Sequence, residues 1–276
     1  MYSKAYVEIT NICNMRCSFC HGHGRTPRQM TREEFARVLS ELAGKTKYVY
    51  YHLMGEPLCH PELPLFLRMA EESGFRSILT TNGTLLHKRK EELLSSPLHK
   101  VSISLHSFEE GGEDALLRYL SETAEFAERA SQRGIIVVLR MWNRGFDEGR
   151  NDRIFSFFRE RIGGEWAENS KGIRIHDKLH LEWGERFAWP DEKAPLEKEG
   201  VRCYGLLDHF GILSDGRVVP CCLDSEGTLA LGNVFSEDLS DILSGSRACS
   251  IAEGFRKGEG GEALCRRCGY AKRFLK

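Results

Sequence analysis

The feature that most constrains the fold of this chain is the alternation of short β-type runs with helical patterns from residue 5 to about 140. Residues 4–10 alternate in polarity as a strand does and end in a cysteine-bearing loop. Thr31-Arg32-Glu33-Glu34 reads as a capping box, with Thr as cap and Glu three residues on, opening a helix through Leu42. A second strand is predicted over 47–53, followed by Gly55-Glu56-Pro57. A helix over 61–73 stops at Gly74, and a third strand over 77–80 turns at Asn82-Gly83. Helical patterns at 88–95, 113–133 and 152–162 flank strands at 100–105 and 135–140, with Gly172–His176 expected as the sixth strand. Strands and helices alternating in this way imply parallel β/α units. The run Ile135-Ile136-Val137-Val138-Leu139 suits a strand buried on both faces.

Six such units are too few to close an eight-fold barrel. The expected class is therefore α/β, a partial (β/α)6 TIM-like barrel over residues 1–180. In barrels the chemistry sits at the C-terminal ends of the strands, and the unusual residues of this chain gather there. Cysteines follow the first strand, Gly55-Glu56-Pro57 the second, and Thr81-Asn82-Gly83 the third. His106-Ser107 follows the fourth strand and Arg140-Met141-Trp142-Asn143 the fifth, so one pocket is expected. Residues 181–200 hold Trp183, Trp189, Pro190 and Pro195 among many charges and read as a linker. Residues 201–276 read as a small domain, with a hairpin over 210–220 turning at Ser214-Asp215-Gly216 and a short helix over 239–247. So few aliphatics would leave it marginal unless a metal centre added stability.

Seven of the ten cysteines supply that possibility. Cys13, Cys17 and Cys20 form C-x3-C-x2-C; Cys203, Cys221, Cys265 and Cys268 form a second set. Cysteine thiolates hold iron–sulfur clusters. In a four-iron cubane, three cysteines leave one iron open and four close the shell. Zinc is the rival for the second set, since Cys265-x2-Cys268 suits a zinc ribbon, and His21 or His23 could complete a zinc site with the first. Met1-Tyr2-Ser3-Lys4 runs directly into a strand, no signal peptide is read, and no stretch of about 18 apolar residues offers a membrane span. A cytoplasmic location with reduced thiols is expected, which favours metal over disulfides. The net charge of −1 gives no electrostatic footprint for nucleic acid, although residues 265–273 are locally basic.

Cys13-Asn14-Met15-Arg16-Cys17-Ser18-Phe19-Cys20 has the pattern C-x3-C-x-aromatic-C, and Gly55-Glu56-Pro57 stands in the right order behind it. In these motifs the chain resembles the radical S-adenosylmethionine superfamily. The resemblance implies that S-adenosylmethionine chelates the open iron of a [4Fe–4S] cluster. Gly55, Glu56 and Pro57 would meet its amino group, Thr81 and Asn82 would assist, Ser102 and Ser104 would touch the ribose, and Arg140 and Asn143 its carboxylate or ribose. Cys203-x12-Gly216-x4-Cys221 is similar to the start of a SPASM domain. Only Cys265 and Cys268 follow, which implies the shorter twitch form with one auxiliary [4Fe–4S] cluster. Cys222 is then spare, and Cys59 and Cys249 read as buried small hydrophobes.

Such an enzyme cleaves its cofactor to a 5′-deoxyadenosyl radical that takes a hydrogen atom from substrate, with a flavodoxin- or ferredoxin-type protein as electron donor. The second cluster would assist electron transfer, with a structural role as the plainer option. His21, His23, Tyr51, His52, His106, Trp142, His176, Asp224 and Glu226 are the substrate candidates. The chain starts only a dozen residues before Cys13, so a small-molecule substrate is expected, acted on by an oxidoreductase or a lyase. Twitch-type aminocyclitol or alcohol dehydrogenases, queuine-lyase-like salvage enzymes and peptide maturases are the alternatives. A non-catalytic iron–sulfur carrier or sensor is the alternative from another class, and Glu56 argues against it.

Overall fold

A computed structural model describes residues 1–109, 111–196 and 199–274. The strands are β1 (Lys4–Val7), β2 (Tyr48–Tyr51), β3 (Arg76–Thr81), β4 (Leu98–Ser104), β5 (Ile136–Arg144), β6 (Ala167–Asn169), β7 (Gly172–His176), β8 (Leu179–Glu185), β9 (His209–Ile212), β10 (Arg217–Val219) and β11 (Gly232–Asn233). They form one sheet in the order β11-β10-β9-β1-β2-β3-β4-β5-β8-β7-β6, parallel from β9 through β8. Five helices accompany the barrel strands: α1 (Arg32–Leu42), α2 (Leu63–Glu72), α3 (Leu86–Leu94), α4 (Glu113–Gln132) and α5 (Arg150–Arg161). Two more, α6 (Leu239–Ser244) and α7 (Ser246–Lys257), follow the hairpin. Among the described residues, no helix is long and apolar enough to cross a membrane.

The local signals act as their chemistry requires. Thr31 Oγ1 accepts from the Glu34 amide and Glu34 returns a bond to the Thr31 amide, so both reciprocal bonds of the capping box form. On the helix side, Phe35 stacks on Phe66 at 4.3 Å between ring centroids, joining α1 to α2 over the sheet. Each buried ring of this size contributes about 1.5–3 kcal/mol from burial.

The two faces of the sheet are unlike. Ala5, Val7, Val49, Tyr51, Val101, Ile103, Val137 and Leu139 are buried in the apolar core. Their alternates, among them Tyr6, Tyr50, His52, Ser102, Ser104, Arg140 and Trp142, line an internal cavity. The period of two thus sorts apolar residues outward and polar residues inward.

Four expectations need correction. Gly172–His176 is a strand, but an antiparallel one; the parallel partner of β5 is β8, reached through the β7–β8 hairpin. That strand runs to Glu185, into the stretch expected as a linker from 181. Its inner positions, His180 and Glu182, are polar because they face away from the apolar core around Leu179 and Leu181, and this disguised it. The C-terminal hairpin forms at Gly216, where φ is +86°, yet it does not stand by itself: β9 pairs in parallel with β1 and extends the main sheet. The helix expected over 239–247 ends earlier, and a second begins beyond Gly245.

Candidate active site

The loop after β1 carries the first three cysteines and is closed at its base. Asn11 Nδ2 donates to the Thr26 carbonyl at 2.9 Å, Asn11 Oδ1 accepts from the Arg28 amide at 2.7 Å, and Thr10 bridges to Gln29. Within the loop the Cys20 amide donates to the Cys17 carbonyl at 3.1 Å. Burial pushes the Cys13 thiol up to about 11, with Glu56, Cys59 and Cys20 adding to it, and Cys17 up to about 12, with Glu109, Cys13 and Cys20 adding to it. Metal ligation requires such thiols to lose their protons, so a positive body among them would offset this cost.

Beneath this loop Glu56 is fully buried and gathers donors from two strand ends. Its Oε1 accepts from Thr81 Oγ1 at 2.7 Å and from the Leu58 amide at 3.0 Å, and its Oε2 from the Asn82 amide at 2.7 Å. Burial raises its pKa to about 7 against these three bonds. A carboxylate offers about four acceptor positions, so Oε2 keeps room for one further donor. Gly55 precedes it at φ +75°, and a Cβ there would lie 2.3 Å from the Thr10 carbonyl oxygen. Only glycine lets the two loops approach so closely. Asn82 Nδ2 reaches Asn14 of the cysteine loop at 3.0 Å, and Tyr119 holds the Asn82 carbonyl at 2.8 Å.

A buried ion pair ties the same loop to the C-terminal hairpin. Both guanidinium nitrogens of Arg25 lie 2.7 Å from the two carboxylate oxygens of Glu8, whose side chain is 0% exposed. Glu8 also accepts from Ser214 Oγ at 2.8 Å, the Ser214 amide at 3.0 Å and the Met54 amide at 3.1 Å. Arg25 Nε donates to the Ser225 carbonyl at 2.7 Å. Sequence reasoning missed this network. Glu8 in an otherwise β-type run was the only signal.

One cavity of about 780 Å³ opens inside the barrel. Ser102, Ser104, His52, His106, Arg140 and Trp142 line it, as their predicted places imply. His106 Nδ1 bonds the Arg140 carbonyl oxygen at 3.0 Å, and burial holds this imidazole down to about 4. Burial likewise takes His52 down to about 3, so both stay neutral. Cys203, Cys221, Cys265 and Cys268 lie in the wall of the same cavity, with Cys222 beside them. Burial raises Cys203 and Cys265 and raises Cys221 strongly, and neighbouring cysteines add to the Cys221 and Cys265 shifts.

Other candidates land elsewhere. Tyr51 points to the core and bonds Ser77 Oγ at 3.2 Å, because its alternates Tyr50 and His52 take the inner face. Asn143 is buried against Asn151 at 3.0 Å. His176 lies 3.5 Å from Ser131 Oγ of α4, and His23 Nε2 bonds the Asn11 carbonyl at 2.8 Å. His21 stacks on Trp189 at 6.2 Å. Asp224 touches the cavity, but its carboxylate accepts from the Thr228 and Leu229 amides at 2.9 Å each. Glu226 accepts from the Gly24 amide at 2.7 Å, binding the two cysteine regions together. Cys249 is exposed on α7 rather than buried, and Cys59 lies 3.8 Å from Asn14 Oδ1. The inner strand positions Lys4, Tyr6, Tyr50, Lys100, Glu182 and His209 also line the cavity, and the sequence reading passed over them.

Among the described residues, no three His, Cys, Asp or Glu side chains converge as a single metal ion requires. A cluster of four irons is a larger body, and thiolates around its corners are its usual ligands. The all-sulfur donor sets, three in one loop and four around a cavity wall, fit such clusters. Cys13, Cys17 and Cys20 would hold one cluster, and Cys203, Cys221, Cys265 and Cys268 the other.

Comparison with known proteins agrees with this chemistry. The family model for the radical SAM superfamily matches residues 7–144, and that for the SPASM iron–sulfur cluster-binding domain matches 203–269. A probable GTP 3′,8-cyclase of Methanococcus vannielii is 33% identical over 36% of this chain and 35% of its own length. The GTP 3′,8-cyclase of Aquifex aeolicus is 27% identical over 75% of this chain and 72% of its own. The first of these relatives is thus matched over only about a third of its length. Among solved structures, BtrN in complex with AdoMet and 2-DOIA superposes with a TM-score of 0.63 at 19% identity, over 97% of this chain and 93% of BtrN. SuiB of Streptococcus suis gives 0.65 at 16% identity, over 96% and 73%. These likenesses carry the fold: a partial barrel with a C-terminal cluster-binding region. The chain belongs to the radical SAM superfamily and is a radical SAM enzyme with a SPASM iron–sulfur domain.

Proposed function

We propose that this enzyme oxidises a small molecule held in the barrel cavity, with S-adenosylmethionine and two [4Fe–4S] clusters bound. The observation that carries the reading is the shared cavity. Polar barrel residues and all four C-terminal cysteines line the same 780 Å³ space, a volume suited to a small ligand. When bound, the cofactor on the first cluster supplies a hydrogen-abstracting 5′-deoxyadenosyl radical.

The chain's own residues supply position and shelter. Oε2 of Glu56 is free to take one donor from the cofactor amine, a charge-assisted bond that Thr81 and the Asn82 amide orient. Ser102 and Ser104 offer hydroxyls at the cavity wall. Trp189 Nε1 donates to the Phe19 carbonyl at 3.0 Å, and the Phe19 ring lies 4.9 Å from His106, which closes apolar groups over the mouth. Cysteines 203, 221, 265 and 268 would hold the second cluster within reach of the occupant, which favours electron transfer over a purely structural task. A flavodoxin- or ferredoxin-type donor would provide reducing electrons. Peptide modification is the second reading, favoured by 32% identity to the PqqA peptide cyclase of Bradyrhizobium diazoefficiens over 41% of this chain.

Anaerobic reconstitution tests the proposal. About eight irons per chain are expected for two four-iron clusters, together with 5′-deoxyadenosine formed on addition of cofactor and reductant. Zinc in place of iron, with no cofactor cleavage, would overturn it.

A further inference from the structure

The barrel lumen has the wrong lining for a simple core. Barrel interiors are ordinarily filled by layers of bulky branched side chains. Here β4, β5 and β8 lie side by side and turn Lys100, Arg140 and Glu182 into the cavity. Lys171 also lines the cavity and adds to the repulsion on Lys100, whereas Lys4 lies 3.2 Å from Asp208 and Arg186 lies over the Phe19 and Phe146 rings. Arg140 is half-buried and covers the Trp142 ring at 4.5 Å. Among the described residues its side chain makes one hydrogen bond, Nη2 to Ser104 Oγ at 2.9 Å, and its Nε has no partner. Burial lowers the pKa of both Arg140 and Lys100, and Glu182 is the largest opposing pull on each. One carboxylate thus serves two cations that also repel one another. An unbalanced charge in such a place is costly unless an anion joins it.

We propose that the lumen binds an anionic group of the substrate, a carboxylate or a phosphate, between Arg140 and Lys100. The rest of the substrate then rises toward His106 and Trp142. Lys100 precedes Ser104 by four residues on β4, which is about 13 Å along the strand. Arg140 stands opposite Ser104 in register, so an anion between its side chain and that of Lys100 lies on the Lys100 side of Ser104 and anchors the end of a small molecule that points away from the cysteine loop. This orientation rests on the radical reading above; the anion site itself does not.

The test is a titration of anaerobically reconstituted enzyme, saturated with S-adenosylmethionine and held at constant ionic strength. Inorganic phosphate and succinate are the two probes, read by calorimetry and by tryptophan emission, since Trp142 carries the Arg140 guanidinium. Saturable binding is expected, weakened about tenfold or more by Lys100→Gln and by Arg140→Gln and retained by Lys100→Arg. The tighter of the two probes names the anion class. No saturable binding, or equal affinity in wild type and both Gln variants, would overturn the proposal. So would probe binding seen only when S-adenosylmethionine is left out and abolished when it is added, because Arg140 would then serve the cofactor carboxylate. Release of 5′-deoxyadenosine without added substrate tests the radical reading separately, and it can persist while the anion site fails.

Discussion

The N-terminal and C-terminal cysteines differ in how much of the fold must exist before their thiols can meet. Cys13, Cys17 and Cys20 share one loop whose base is pinned by Asn11, Arg28 and the Thr10–Gln29 bridge. The second set is drawn from three places: Cys203 before β9, Cys221 after β10, and Cys265 with Cys268 beyond α7. These meet only when β9 has joined β1 and the chain end has returned, with Gly260 bonding the Val201 carbonyl and Gly269 that of Ala188, both at 3.1 Å. A local site can be lost without unfolding its surroundings. A site assembled from distant segments is also a brace.

The largest effect that sharpens this contrast lies in the cysteines themselves. Cys17→Ala is expected to abolish cofactor cleavage while the melting temperature stays close to wild type. Cys268→Ala should preserve uncoupled cleavage, lose substrate turnover and melt at a lower temperature. Calorimetry together with a 5′-deoxyadenosine assay separates the two, and equal losses of stability would break the contrast.

Next in size is the buried pair that couples the two regions. Glu8→Gln leaves Arg25 uncompensated and should cost about 3–5 kcal/mol, or roughly 10 °C at 2–4 °C per kcal/mol. Denaturant unfolding of the reconstituted enzyme checks this. A change below about 1 kcal/mol, the scale of an exposed pair, would mean that the two regions are not tied through Glu8.

The fold was legible where periodicity and caps act locally, and less so where packing decides. The alternation through β5 and the Thr31 capping box announced themselves because each depends on residues a few positions apart. Strand β8 did not, since half of its side chains face a polar lumen and its charges resemble those of a linker. The same alternation explains the site. Trp142 and His52 line the cavity near strand ends, but Tyr51 and Asn143 fall on the other face, one residue out of phase. Asp224 turns back on the amides of Thr228 and Leu229 a few residues on, while Glu226 meets the Gly24 amide of the N-terminal cysteine loop, which no spacing in the chain foretells. Glu8 and Arg25 are 17 residues apart and meet only through the closed loop.

A smaller effect distinguishes the cavity side from the outer core. His106 is held neutral with its pKa near 4, against 6.5 in the unfolded chain. Between these values the unfolded chain binds a proton that the folded one refuses. The stability His106 contributes is therefore complete above about pH 6.5 and drains away as pH falls toward 4. His106→Gln should flatten that part of the stability–pH profile, as read by denaturant midpoints. An unchanged slope would place His106 in a wetter setting.

The central claim is that one cluster keeps an open iron and the other does not. Electron paramagnetic resonance of the reduced enzyme, with and without S-adenosylmethionine, tests it most directly in wild type and in a variant with Cys13, Cys17 and Cys20 all changed to Ala. The account predicts two cluster signals in wild type, one of which shifts on adding cofactor, and a single signal in the variant that does not shift. A cofactor-induced shift in the variant would contradict it.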